Sequence, residues 1–313
     1  MAEHLLTLDS LGRDGVREIL DLSHRFKREP GRHRGALAGG RVGMIFDKPS
    51  TRTRVSLEGA AWALGMLPIV LRPDELQLGH GETVADTARV LSRYLSALTI
   101  RTFAQARVEE LAANSSIPII NALTDEHHPC QALADAMTLE EALGDLRGRR
   151  VAFVGDGNNV AHSLIQAAGY LGFTLLIATP ERYRPDPAIV ATGRTHGEAN
   201  GGGIELVTDP ADAVRGADAV YTDVWASMGK EAEREERRRI FAGYTVDAAM
   251  MASAGPRAIF LHCLPAHRGD EVTDAVMDGM QSRVWDQAEN RVYTEQALLY
   301  ALISGDHRGE CLG

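Results

Sequence analysis

A chain of 313 residues, 44% apolar and 24% charged, has room for about two globular domains and excludes global disorder or a fibrous repeat. Its formal charge of −10 leaves no basic excess to neutralise a phosphate polymer or an anionic membrane, so neither nucleic acid nor membrane is an expected partner. A local cationic pocket for one small anion stays open. Only Lys27, Lys48 and Lys230 are lysines, so nearly all positive charge is guanidinium. Cys130, Cys263 and Cys311 are too scattered for a disulfide framework, and no Cys-x-x-Cys pair suggests zinc. The start carries no signal-peptide pattern and no stretch nears the ~20 apolar residues of a membrane span, which predicts a cytoplasmic protein.

In chain order, Val16, Ile19, Leu20 and Phe26 recur at helical spacing over 13–29, and Pro30-Gly31 stops that helix. Strands are predicted at 42–46, 67–71, 97–101 and 117–120, with helices at 52–65, 83–95, 104–113 and 129–143. A second series has strands at 151–154, 173–178, 204–207, 219–222 and 258–262, with helices at 159–171, 186–195, 210–215 and 231–241. An apolar helix over 294–303 follows. Alternating strands and helices mean βαβ units. The pattern predicts an α/β protein of two doubly wound parallel-sheet domains with a cleft between them. Ligands of such sheets bind beyond the carboxyl ends of the strands. Those ends carry Ser50–Arg54, Arg101, the loop to His128, Gly155–Asn159, Asp223 and His262–Cys263.

Lys48-Pro-Ser-Thr-Arg-Thr-Arg54 follows a strand and opens a helix. Ser50 is a natural N-cap, and the free first-turn amides, hydroxyls and guanidiniums form a phosphate cradle without glycines. A well-capped helix with solvated arginines is the plainer alternative. Arg101 ends an apolar strand, where a guanidinium needs an anion, whether a ligand or a structural partner. His128, before Pro129, is either a cap or a donor to a carbonyl or phosphate oxygen, with Gln131 one turn in. Gly155-Asp-Gly-Asn-Asn159 resembles a dinucleotide fingerprint, but Val160 stands where its third glycine belongs. Asp223-Val-Trp-Ala-Ser-Met-Gly229 suits a primary amine, or is a surface loop. Cys263 in His262-Cys-Leu-Pro265 is a nucleophile, a metal ligand, a polar wall or a buried structural thiol.

Taken together, Ser-Thr-Arg-Thr-Arg at 50–54, His-Pro-Cys-Gln at 128–131, Asp-Gly-Asn-Asn at 156–159, Ser-Met-Gly at 227–229 and His-Cys-Leu-Pro at 262–265 resemble the ornithine carbamoyltransferases, over essentially the whole chain. The resemblance implies a carbamoyl phosphate domain at 1–144, rejoined by a C-terminal helix of about 291–313, and an ornithine domain at 145–290. It implies a homotrimer with active sites at subunit interfaces. Carbamoyl phosphate would meet Ser50, Thr51, Arg52, Thr53, Arg101, His128, Gln131, Arg291 and the main chain of Cys263 and Leu264, with Gln77 reaching in from a neighbouring subunit. L-Ornithine would meet Asn159, Asp223, Ser227 and Met228. Asp223, Cys263, Arg101 and His128 would carry the chemistry, giving citrulline and phosphate within arginine metabolism. No metal or organic cofactor is expected, because phosphate is already a good leaving group. The rivals are a sister carbamoyltransferase acting on aspartate, putrescine or an acylated ornithine, an NAD-dependent oxidoreductase built on Gly155-x-Gly157, and a binding protein without turnover.

Overall fold

The structure, a computed structural model, describes residues 4–72, 74, 76, 81–226 and 233–305. It contains two compact units, one formed by the chain up to Met137 with the segment from Glu289, the other by Thr138–Ala288.

In the first unit, a 3-10 turn at Leu8–Ser10 leads into α1 (Gly12–Arg28), which buries Val16, Ile19, Leu20 and Phe26. There follow β1 (Arg41–Phe46), α2 (Thr51–Ala63), β2 (Leu67–Leu71), α3 (Val84–Leu91), β3 (Ala97–Arg101), α4 (Gln105–Ala113), β4 (Ile119–Leu123) and α5 (Pro129–Leu143). The strands form a parallel sheet in the order β2-β1-β3-β4. β3 is buried along its whole length, whereas edge strand β2 is mostly half-exposed, as expected of inner and outer strands under covering helices. The other edge is covered by the N-terminal segment, where Leu5 N donates to Ile119 O at 2.9 Å and accepts through its carbonyl from Asn121 N at 2.7 Å. β4 therefore lies later than the predicted 117–120. Pro118 has no N–H for the ladder, and the strand runs on through Asn121 to Leu123. α3 likewise ends at Leu91, short of the predicted 95.

The second unit comprises β5 (Arg150–Val154), α6 (Asn159–Leu171), β6 (Thr174–Ala178), α7 (Pro187–Asn200), β7 (Gly203–Val207), α8 (Pro210–Val214), β8 (Ala219–Thr222), α9 (Arg234–Ile240), α10 (Ala248–Ala254), β9 (Ile259–His262) and α11 (Asp274–Met277). Its parallel sheet runs β7-β6-β5-β8-β9. Val154, Val220 and Phe260 from the inner strands pack with Trp225 and Phe241, whose rings stack at 5.6 Å. α10 and α11 were not predicted. α6 ends at Gly172, whose φ of +76° is the left-handed cap that glycine adopts without strain.

α12 (Val284–Ser304) is ten residues longer at its start than the predicted 294–303. From Glu289 on it belongs to the first unit. Lys27 Nζ of α1 donates to Asn290 Oδ1 at 2.7 Å, and Arg291 reaches both α2 and α5. No helix among the described residues is long and apolar enough to cross a membrane.

Candidate active site

In the first sheet, strand order reverses between β1 and β3, the switch point whose carboxyl-end loops are where ligands of such sheets bind. Ser50 caps α2 there, its Oγ accepting from Thr53 N at 3.3 Å. Thr51 is exposed and Arg52 half-buried in the first turn. Arg101 ends β3 and is 7% exposed, while His128 stands just before α5 at 5%. The His128 carbonyl accepts from Gln131 N and Ala132 N, so it opens the helix as the sequence suggests.

Arg291 binds these parts together. Its Nη2 donates to Thr53 Oγ1 at 3.1 Å and its Nη1 to Gln131 Oε1 at 3.0 Å. Glu295, one turn on, takes Nε at 3.1 Å and Nη2 at 2.5 Å. Gln131 in turn donates to Asp135 Oδ1 at 2.8 Å, which fixes its amide. His128 is held well below the usual imidazole range, first by burial and then by the guanidiniums of Arg291, Arg101 and Arg52. A neutral imidazole surrounded by three cations is an N–H donor in a positive field. That combination receives an oxyanion or a phosphoryl group without adding a proton of its own to titrate. Cys130, beside it in sequence, is a structural thiol: burial, then Glu295, push it up to about 12.

In the second sheet the reversal lies between β5 and β8, and the loops after these strands meet a third after β9. Asn158 caps α6, its Oδ1 accepting from Val160 N at 3.0 Å and Ala161 N at 3.2 Å. Its Nδ2 donates to Asp223 Oδ2 at 2.7 Å, and Cys263 Sγ donates to Asp223 Oδ1 at 3.0 Å. Asp223 is 6% exposed, so its carboxylate is desolvated and oriented by both partners. Asn159 is half-buried at the first position of α6. Leu264 adopts φ +61°, a left-handed conformation uncommon for a branched residue. Its N–H donates to His262 Nδ1 at 2.8 Å, and His262 Nε2 lies 3.2 Å from Glu271 Oε1. Asp223, His262 and Cys263 bring one ligand-type atom each within 4.8 Å, yet both imidazole nitrogens are already engaged. Ser227, Met228 and Gln77 lie outside the described residues.

Two family models divide the chain between them. The aspartate/ornithine carbamoyltransferase carbamoyl-P binding domain matches residues 3–141, and the Asp/Orn binding domain of the same family matches 147–302. The chain belongs to the aspartate/ornithine carbamoyltransferase family. It is 49% identical over 301 residues to the ornithine carbamoyltransferase of Gloeobacter violaceus, covering 96% of both chains. It is 48% identical to the anabolic ornithine carbamoyltransferase of Pyrococcus furiosus, again over 96% of each. The solved structure of the ornithine carbamoyltransferase from Pyrococcus furiosus superposes with a TM-score of 0.94, covering 97% of this chain and 98% of that one.

The family assignment accounts for a motif that pointed elsewhere. Gly157 N donates to Tyr183 O at 2.8 Å, and a Cβ on Gly157 would lie 2.5 Å from that oxygen and 2.6 Å from Pro185 Cδ. The second glycine of Gly155-x-Gly157 thus serves the close approach of the protein's own backbone. That glycine is accounted for without a dinucleotide pyrophosphate. Among carbamoyltransferase residues that the sequence did not single out, Glu295, Asp135 and Glu271 orient Arg291, Gln131 and His262. The i,i+4 spacings Arg291–Glu295 and Gln131–Asp135 were the available signals.

Proposed function

We propose that this chain is an ornithine carbamoyltransferase, transferring the carbamoyl group of carbamoyl phosphate to the side-chain amine of L-ornithine to give L-citrulline and phosphate. The observation that carries the reading is the chemistry at the two switch points. One offers three guanidiniums around a neutral imidazole, which suits a phosphorylated carbonyl. The other offers a buried carboxylate paired with a thiol, which suits an amine. The amine nitrogen's lone pair forms the new bond to the carbamoyl carbon. The bond to the phosphate oxygen then breaks and phosphate leaves with its electron pair. Ser50, Thr51, Arg52, Thr53 and Arg291 hold the phosphate, and Arg101, His128 and Gln131 take the carbamoyl oxygen and nitrogen. An oxyanion donor of this kind is worth roughly 3–4 kcal/mol. Asn159, Ser227 and Met228 hold the amino-acid end. Asp223 and Cys263 orient the amine and accept its proton, which ends on the departing phosphate. The main-chain groups of Cys263 and Leu264 border the carbamoyl group.

A lysine-like amine has a pKa near ~10, so the reactive neutral form is scarce at pH 7. Turnover with ornithine therefore rises with pH from 6 to 9. A flat profile overturns the requirement for a neutral amine. Supplying carbamoyl phosphate with ornithine, putrescine, N-acetylornithine or aspartate, and detecting the ureido product, tests the substrate. Ornithine is expected to be used best, and a preference for any other acceptor overturns the assignment. The proposal includes a homotrimer in which Gln77 enters a neighbour's site. Light scattering at the mass of a single chain overturns it. A cytoplasmic location accords with the free thiols of Cys130 and Cys263.

A further inference from the structure

Lys48 heads the Lys-Pro-Ser-Thr-Arg-Thr-Arg segment, yet the chemistry above gives it no task. It is 5% exposed, which is rare for a lysine. Its Nζ pairs with Asp125 Oδ1 and stands 4.3 Å from the centroid of the Phe103 ring. These three residues come from three loops, those leaving β1, β3 and β4. The surrounding contacts join the same loops. Asp47 Oδ2 accepts from Thr102 Oγ1 at 2.6 Å and from Arg107 Nη1 at 2.7 Å. Asp125 N donates to Phe103 O at 2.8 Å. Thr124 Oγ1 accepts from His127 N at 3.0 Å and donates to Gln105 Oε1 at 2.8 Å. Ser50, which caps the cradle helix, is two residues from Lys48, and His128 is three residues from Asp125.

We infer that Lys48 is a positioning residue, whose ammonium, clamped between Asp125 and the Phe103 ring, sets the distance between the Ser50–Thr53 cradle and His128. The inference rests on carbamoyl phosphate being the ligand of that cradle. Because the charge of Lys48 is balanced by Asp125, it acts through geometry and not as a further phosphate-binding cation. Removing either partner lets the two loops drift apart, and misplacement of a site wall by about an ångström lowers its effectiveness by up to ~100-fold.

The test is steady-state kinetics and carbamoyl phosphate calorimetry on Lys48→Met, Asp125→Asn, the double variant and Lys48→Arg, with thermal unfolding of each. Asp125 is largely exposed, so Asp125→Asn folds whatever becomes of Lys48→Met. Each single variant is expected to raise the KM for carbamoyl phosphate about tenfold or more. The KM for ornithine stays within about twofold, and the double variant is no worse than the singles, as for partners in one contact. Lys48→Arg keeps a charge to pair with Asp125 and stack on Phe103 but with a larger planar head, and restores part of the loss. Tighter carbamoyl phosphate binding by Asp125→Asn would mean that Lys48 is a ligand cation once freed, and overturns the inference. So does a lowered unfolding temperature with unchanged KM values, which marks a structural ion pair. Wild-type protein that does not bind carbamoyl phosphate overturns the site assignment itself, a result distinct from either.

Discussion

Arg291 and Glu295 are 4% and 1% exposed, so each is buried against the other's charge. Burial pushes the Glu295 carboxyl up and Arg291 draws it back. Arg291→Leu leaves that carboxyl without its cation, and we expect a loss of roughly 3–5 kcal/mol in urea unfolding. Pairing it with Glu295→Leu should restore much of the stability and none of the carbamoyl phosphate binding, which separates the two roles of the guanidinium. The cysteines differ for an equally local reason. Cys130 is buried with its thiol pushed up to about 12, whereas Cys263 is half-exposed beside Asp223. Brief iodoacetamide treatment of native protein followed by peptide mass mapping should find Cys263 modified and Cys130 intact, and ornithine with phosphate should slow the reaction. Equal modification of both would contradict these environments. At this scale the sequence was informative where a residue's type advertised its chemistry, as with Arg52, Arg101 and Cys263. It was silent where the role is to hold another side chain, as with Glu295 and Asp125.

Elements were legible where burial and periodicity agree. β3, β8 and β9 are buried throughout and read directly as apolar runs. α12 did not, because its first half carries Gln287, Asn290, Arg291, Thr294 and Glu295, all buried polar groups engaged in specific hydrogen bonds. They interrupt the apolar stripe by which a helix is recognised. β4 was displaced for a related reason, since Asn121 is a fully buried polar residue, its Nδ2 donating to Leu6 O at 2.9 Å and to Gln105 Oε1 at 3.2 Å. Function is also written into a helix start. Asn158→Ala removes the α6 cap, costing about 1 kcal/mol, and removes a donor to Asp223. We expect a raised KM for ornithine with carbamoyl phosphate affinity unchanged. Gly157→Ala forces a methyl against Tyr183 and Pro185, with destabilisation of ~1–3 kcal/mol in the same unfolding assay.

Over the whole molecule, pH dependence follows from the buried imidazoles. His33, packed on Phe26 with centroids 4.4 Å apart, is lowered by burial and then by Arg32 and Arg25, and His128 is lowered further still. Above the ordinary imidazole value of 6.5 neither folded nor unfolded chain carries these protons. Below it the unfolded chain binds protons that the fold refuses, so stability falls as pH drops from there toward the depressed folded values. Urea midpoints should decline from pH 7 to pH 5, and His33→Phe should flatten part of that decline. A midpoint independent of pH over that range would show the buried rings to be without effect.

The scarcity of lysine has a chemical corollary for a protein that handles an activated carbamoyl group. Carbamoyl phosphate decays in water to cyanate, which converts free amines to ureas. Of the three lysines, the two within the described residues are both engaged, Lys27 with Asn290 at 2.7 Å and Lys48 with Asp125 under the Phe103 ring. Guanidinium, which supplies nearly all the remaining side-chain positive charge, is a poor nucleophile. Among the described residues, the fold thus commits both lysine side chains to contacts that a carbamoylated amine, stripped of its charge, would weaken.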